Sequence, residues 1–237
     1  MNLNKIEFLI YSSHKTSTQS LVSILNLNKY KSIHCHHIRN LKVLLNKNQQ
    51  VNKEMFIKAL LNYININKKK LKIITIIRNP KDRLISSLFQ SYHTDELNFK
   101  KKEETTINLK NLNELKEFYQ ESIQNDTLPG GVESIDELSD IINVNIISNL
   151  EKRNNFYYFN HNLFELYILD FNKLIQQDNL NYINNKLKTK CKLNIQKNLS
   201  KNKIYYEKYL MLKSMISNDI NNLIIEKYHP FYFNAFN

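Results

Sequence analysis

An apolar, β-branched run that stops at Arg-Asn-Pro constrains this chain more than any other feature. Leu71–His93 reads LKIITIIRNPKDRLISSLFQSYH, and only Lys72 and Thr75 are polar within Leu71–Ile77. A run so short and apolar predicts a central parallel strand buried on both faces. Pro80 lacks the N–H that a ladder needs and restricts Asn79, so the strand ends there. Pro80 suits the first turn of a following helix, where Asp82 adds a favourable negative charge. Leu84, Ile85, Leu88 and Phe89 recur at helical spacing and supply a face to lay on a sheet. Arg78 is thereby held at the carboxyl end of a strand, where open α/β sheets bind ligands. Ser86 sits two turns into the helix (86−78 = 8). A guanidinium fork and a serine hydroxyl together suit one phosphate; the plainer alternative is an Arg78 salt bridge and an indifferent Ser86.

The N-terminus carries a second unit of the same kind. Ile6–Tyr11 (IEFLIY) predicts a buried strand, Ser12–Ser20 a polar loop, and Leu21–Leu25 the start of a helix. Strand, loop and helix in that order point backbone N–H groups and a helix dipole at an anion. Lys15 adds a mobile charge, and Thr16, Ser17, Thr18, Gln19 and Ser20 add hydroxyl and amide donors. An ordinary βα loop capped by Ser or Thr gives the same pattern. The absence of G-x-x-x-x-G-K-[ST] anywhere argues against an ATP- or GTP-dependent kinase.

Together these strings resemble the nucleotide motifs of sulfotransferases that use 3′-phosphoadenosine 5′-phosphosulfate (PAPS). R-N-P-x-x-R-x-x-S resembles their 3′-phosphate motif and implies that Arg78 and Ser86 hold that phosphate. H-K-T-S-T-Q-S-L resembles their 5′-phosphosulfate loop, commonly K-[ST]-G-T-[ST]-x-x-L, and implies nucleotide contacts from Lys15 to Ser20. The departure is Ser17, where the family usually has a glycine able to take positive φ. The resemblance implies a three-layer αβα fold with a central parallel sheet, of the P-loop-like sulfotransferase type. It covers about Ile6 to Leu187 as one domain over 1–237, with a variable helical segment at about 95–150 shaping the acceptor side.

Lys31–Ile38 (KSIHCHHI) predicts a second strand on which His34 and His36 share a face. An H-x-H there is similar to carbohydrate and bacterial capsular-polysaccharide sulfotransferases, in which such a histidine removes the acceptor proton. His36 is the first candidate base, His34 or His37 a substitute, and His93, after the central helix, the runner-up. Surface histidines are the alternative; a metal site is disfavoured because no acidic or Cys partner lies at ligand spacing. Lys201 and Lys203 lie in a basic loop where the family closes over the nucleotide, and are weak candidates because its glycine-containing version is absent. Leu166–Phe171 predicts a late strand, Asn179–Leu187 a short helix, and the stretch to Lys227 one further helix.

The net charge of +12 favours anionic partners, whether nucleotide, polyanionic glycan or nucleic acid. Enrichment in Asn, Lys and Ile, with 2 Gly and no Trp, has the look of AT-rich codon usage, which accounts for part of that charge. A nucleic-acid binder is accordingly the lesser alternative, beside a nucleotide-binding module without catalysis. Two cysteines are too few for a disulfide framework and suit a reducing compartment. No run approaches the ~20 apolar residues of a membrane span, and the first strand starts almost at once, which leaves no signal peptide. The expectation is a cytoplasmic, metal-independent sulfotransferase that acts on a carbohydrate hydroxyl, with no nucleic-acid partner. Oligomeric state is not legible.

Overall fold

A computed structural model describes residues 3–13, 16–43, 51–97, 112–125, 133–154, 156–176, 179–194 and 206–236. The chain divides into two compact units. Residues 1–77, 132–197 and 236 form the first, and 78–131, 198–235 and 237 the second.

In chain order the elements begin with β1 (Phe8–Tyr11), α1 (Thr18–Leu27), β2 (Ser32–Cys35), α2 (Lys53–Asn67) and β3 (Leu71–Ile77). Two helices of the second unit follow, α3 (Pro80–Leu97) and α4 (Leu112–Gln124). The first unit resumes with α5 (Ser134–Ile142), β4 (Glu151–Arg153), β5 (Phe156–Asn160), β6 (Phe164–Asp170), α6 (Phe171–Leu174) and α7 (Asn179–Leu187). Helices α8 (Tyr206–Met215), α9 (Asn218–Lys227) and α10 (Phe231–Asn234) complete the second.

The first unit is built on a six-stranded sheet of order β2-β1-β3-β6-β5-β4. β1 pairs in parallel with β2 and β3, and β3 with β6. β3 is central as its apolar run predicts, with all but Lys72 buried. The expected parallel sheet thus holds for four strands, and β5 and β4 add an antiparallel margin. The margin ends on Glu151-Lys152-Arg153, exposed throughout, and charges on an edge strand discourage pairing with another chain.

Period-two alternation sorts the sheet into two faces. Phe8, Ile10, Ile74, Ile76 and Leu169 share one core with Leu21, Ile24 and Leu25 of α1 and Ile183 and Leu187 of α7. Tyr11 points to the other face, where its hydroxyl donates to Glu137 of α5. α2 lies on that side too, since Lys53 Nζ donates to the Asp140 carbonyl at the end of α5. These are the three layers the sequence predicts.

In the second unit α3 starts at Pro80, as expected, and Asn79 caps it: its Oδ1 accepts from Lys81 N at 3.0 Å. Leu84, Ile85, Leu88 and Phe89 are all buried. The single helix expected up to Lys227 is two. α8 ends at Met215 and Ser217 begins α9, so the chain turns between them.

Candidate functional site

β1 and β2 run side by side with Ile10 opposite His34 and Tyr11 opposite Cys35. One step on, Ser12 N donates to the Cys35 carbonyl at 3.3 Å. The next pair is made by a side chain, with His36 Nδ1 2.6 Å from the Ser12 carbonyl oxygen. A carbonyl only accepts, so Nδ1 carries the proton and Nε2 holds the lone pair of the neutral ring. His34 and His36 stack edge to face, with centroids 5.4 Å apart. Burial lowers the pKa of His36, opposed by its bond to Ser12, and His34 and His37 lower it further. Burial lowers His34 as well. A half-buried imidazole with its Nδ1 proton held by a carbonyl and a depressed pKa is neutral at neutral pH, the form a general base needs.

The loop after β1 is anchored by hydroxyls. Ser12 Oγ donates to the Ile76 carbonyl and accepts from Ile76 N, each at 3.0 Å, which extends the β1–β3 ladder through a side chain. Thr16 Oγ1 sits 2.9 Å from Ser12 Oγ and donates to the Ser13 carbonyl at 2.7 Å. Ser13 bridges to the start of α5: its Oγ donates to Glu133 at 2.7 Å and accepts from Ser134 N at 3.3 Å. Ser13 N in turn donates to Ser134 Oγ at 3.1 Å. Farther along α5, Glu137 takes the Tyr11 hydroxyl and lies 3.5 Å from His37 Nδ1. Burial, reinforced by Glu137, pushes Tyr11 and Cys35 far above their ordinary pKa values.

Ser17 resolves the departure from the loop pattern. It stands at φ 58°, ψ 26°, in the left-handed region that glycine would take. It is the N-cap of α1, yet its side chain makes no cap hydrogen bond. Thr18 is buried in the first turn, Gln19 is exposed and Ser20 half-buried. Lys15 lies outside the described residues, as do Lys201 and Lys203.

The second unit holds the other motif. Arg78 is half-buried, and its guanidinium donates to the Tyr209 hydroxyl of α8 at 3.3 Å. Burial lowers its pKa, opposed by Tyr209 and Asp82. Asp82 pairs with Lys213, also on α8, at 2.6 Å. Arg83 is fully buried with its guanidinium carbon 5.4 Å from the centre of the Tyr228 ring. Ser86 is buried two turns into α3. His93 lies in α3, with its side chain outside the described residues.

Sequence reasoning missed Ser12, Ser13, Glu133, Ser134 and Glu137 on one unit, and Tyr209 and Lys213 on the other. Only the last pair left a trace, an aromatic and a cation four residues apart on one helical face. Among the described residues no group of three or more His, Cys, Asp or Glu is placed to hold a metal ion. No helix among them is long and apolar enough to cross a membrane.

A family model described as the sulfotransferase domain matches residues 2–162, more than half of the chain. No curated protein and no solved structure shows significant similarity.

Proposed function

The chain belongs to the sulfotransferase domain family, and on that premise we propose that it moves a sulfuryl group from PAPS to a carbohydrate hydroxyl, such as that of a capsular or surface polysaccharide. The observation that carries the reading is Ser17, a non-glycine residue in the left-handed turn at the N-terminus of α1, with its side chain not spent on capping. That conformation retains the loop path a glycine would permit, and with it the amide and hydroxyl donors an anion needs. The donor sets suit the group: backbone N–H at the start of α1 with the Ser17 hydroxyl, and a guanidinium with a hydroxyl at Arg78 and Ser86.

PAPS supplies an activated sulfuryl group whose leaving group is adenosine 3′,5′-bisphosphate. In this reading His36 Nε2 takes the proton of the acceptor hydroxyl as that oxygen forms its bond to sulfur. The sulfur–oxygen bond to the phosphate breaks, and its electron pair leaves on the phosphate oxygen. Lys15 is assigned to neutralise that charge, and Arg78 and Ser86 to hold the 3′-phosphate. His34 and His93 are the other base candidates, and Lys201 and Lys203 supplementary nucleotide contacts. Positioning and charge stabilisation do most of the work in such transfers. We retain one domain over 1–237, a variable acceptor-side segment at about 95–150, and a cytoplasmic location.

The test is transfer of labelled sulfate from PAPS across a panel of glycans. Turnover on a glycan supports the reading. Tight binding of adenosine 3′,5′-bisphosphate without transfer to any of them leaves a nucleotide-binding module in its place.

A further inference from the structure

Two residues of α8 face the start of α3 in register. Tyr209 meets Arg78 and Lys213 meets Asp82, at 3.3 Å and 2.6 Å. Arg78 and Asp82 are four residues apart in the chain, as are Tyr209 and Lys213, so Tyr209 and Lys213 project from one face of α8. We propose that this face belongs to the nucleotide site, with Lys213 contacting the 3′-phosphate directly and Tyr209 positioning Arg78 for it. The inference rests on the proposed function and deepens it, since it names what selects nucleotides bearing a 3′-phosphate.

The charges fit that role. Arg78 and Lys213 bring two cationic side chains to the start of α3, the charge sign an anion needs. The Lys213 ammonium has three donors. Its ion pair with Asp82 holds the side chain beside the start of α3 while its donors can turn to a phosphate oxygen. Tyr209 is 7% exposed and its ring packs edge-on against Phe89, with centroids 6.3 Å apart. Its hydroxyl is therefore a fixed acceptor. It orients the Arg78 fork, whose planar geometry gains most from being held. Lys213, by contrast, is 42% exposed at its side chain, as a residue that meets an incoming ligand must be.

The experiment compares adenosine 3′,5′-bisphosphate with adenosine 5′-monophosphate, which lacks the 3′-phosphate, by calorimetry on the full chain. Lys213→Met should weaken the bisphosphate by about 10- to 100-fold, the range for one charged hydrogen bond, and leave the monophosphate near native. Tyr209→Phe should reduce the same preference by a smaller factor, and Lys213→Arg should restore most of it. Equal losses for both nucleotides, or none in a variant that unfolds as the native chain does, overturn the inference. If Arg78→Ala alone loses the preference, the 3′-phosphate assignment stands and the role of α8 falls. If the native chain does not bind the bisphosphate, both fall together.

Discussion

The end of β1 and the start of α3 hold the two motifs proposed to bind the nucleotide, and they are built from opposite materials. At β1 the chain relies on uncharged hydroxyls. Ser12, Ser13 and Thr16 are at most 3% exposed and bond to one another, to Ile76 and to α5. At α3 the work falls to ions: half-buried Arg78 and Asp82 meet Tyr209 and the exposed Lys213 of α8. Buried hydroxyls cost little to desolvate once each has a partner, and they fix a backbone path. Charges at a helix start draw on an anion's opposite charge, and substituting them weakens that attraction more than it disturbs the backbone path. The first region therefore should answer to substitution mainly in stability and turnover, the second in affinity.

The largest effect tests the chemistry beside the first region. His36→Ala should lower turnover by ~10²–10⁴-fold, the usual contribution of a general base, with nucleotide affinity near native. Near-native turnover in that variant with loss in His93→Ala would move the base to α3. The pH dependence has a definite sign. Burial holds His36 below its ordinary value of 6.5, so the rising limb of the rate should lie below that pH. The unfolded chain binds protons more readily than the folded one at His34 and His36. Their contribution to stability is present above the ordinary imidazole pKa and is lost as pH falls through the lower folded values. Denaturant titrations across that window should show a smaller loss in His36→Asn than in the native chain.

Next in size is Arg78→Ala, which should weaken adenosine 3′,5′-bisphosphate by ~10- to 150-fold, from about 1.5–3 kcal/mol for a charged hydrogen bond. Its unfolding midpoint should hardly move. Unchanged affinity in a folded variant removes Arg78 from the site.

Glu133→Ala reverses that signature. It strips the acceptor from Ser13 Oγ and should cost about 1–3 kcal/mol of stability by chemical denaturation. Equal stability would mean that the bond between the loop and α5 braces nothing.

The smallest effect is at Ser17. Replacing it by glycine relieves a left-handed non-glycine residue, about 1–2 kcal/mol, and adds unfolded-state freedom of about 0.5–1 kcal/mol. The net should be a stabilisation of between about 0 and 1.5 kcal/mol. A clear destabilisation would show that the serine side chain is needed where it stands.

Much of the first unit was legible because its signals are local. Leu71–Ile77, Asn179–Leu187 and Pro80 as a helix start stand where periodicity and proline geometry put them. β5 escaped because Phe156–Asn160 belongs to an antiparallel hairpin, while attention to strand–helix alternation looks for parallel strands. The break at Ser217 escaped because both halves are helix-prone and the turn between them carries neither glycine nor proline.

By itself the sequence determined which residues are contiguous: a strand, its loop and its helix, twice over, and therefore the two motifs and their order. It determined the family for the same reason, since motif residues close in the chain are held close by covalent geometry. The tertiary structure decided what is far apart in the chain. Ser13 meets Glu133, Tyr11 meets Glu137, and Tyr209 and Lys213 reach the start of α3. It also decided the state of single residues: the left-handed turn at Ser17 and the proton on His36 Nδ1. A tautomer is set by whichever acceptor packing brings to the ring, and a backbone angle by the anchors on either side. Neither is written in residue type alone.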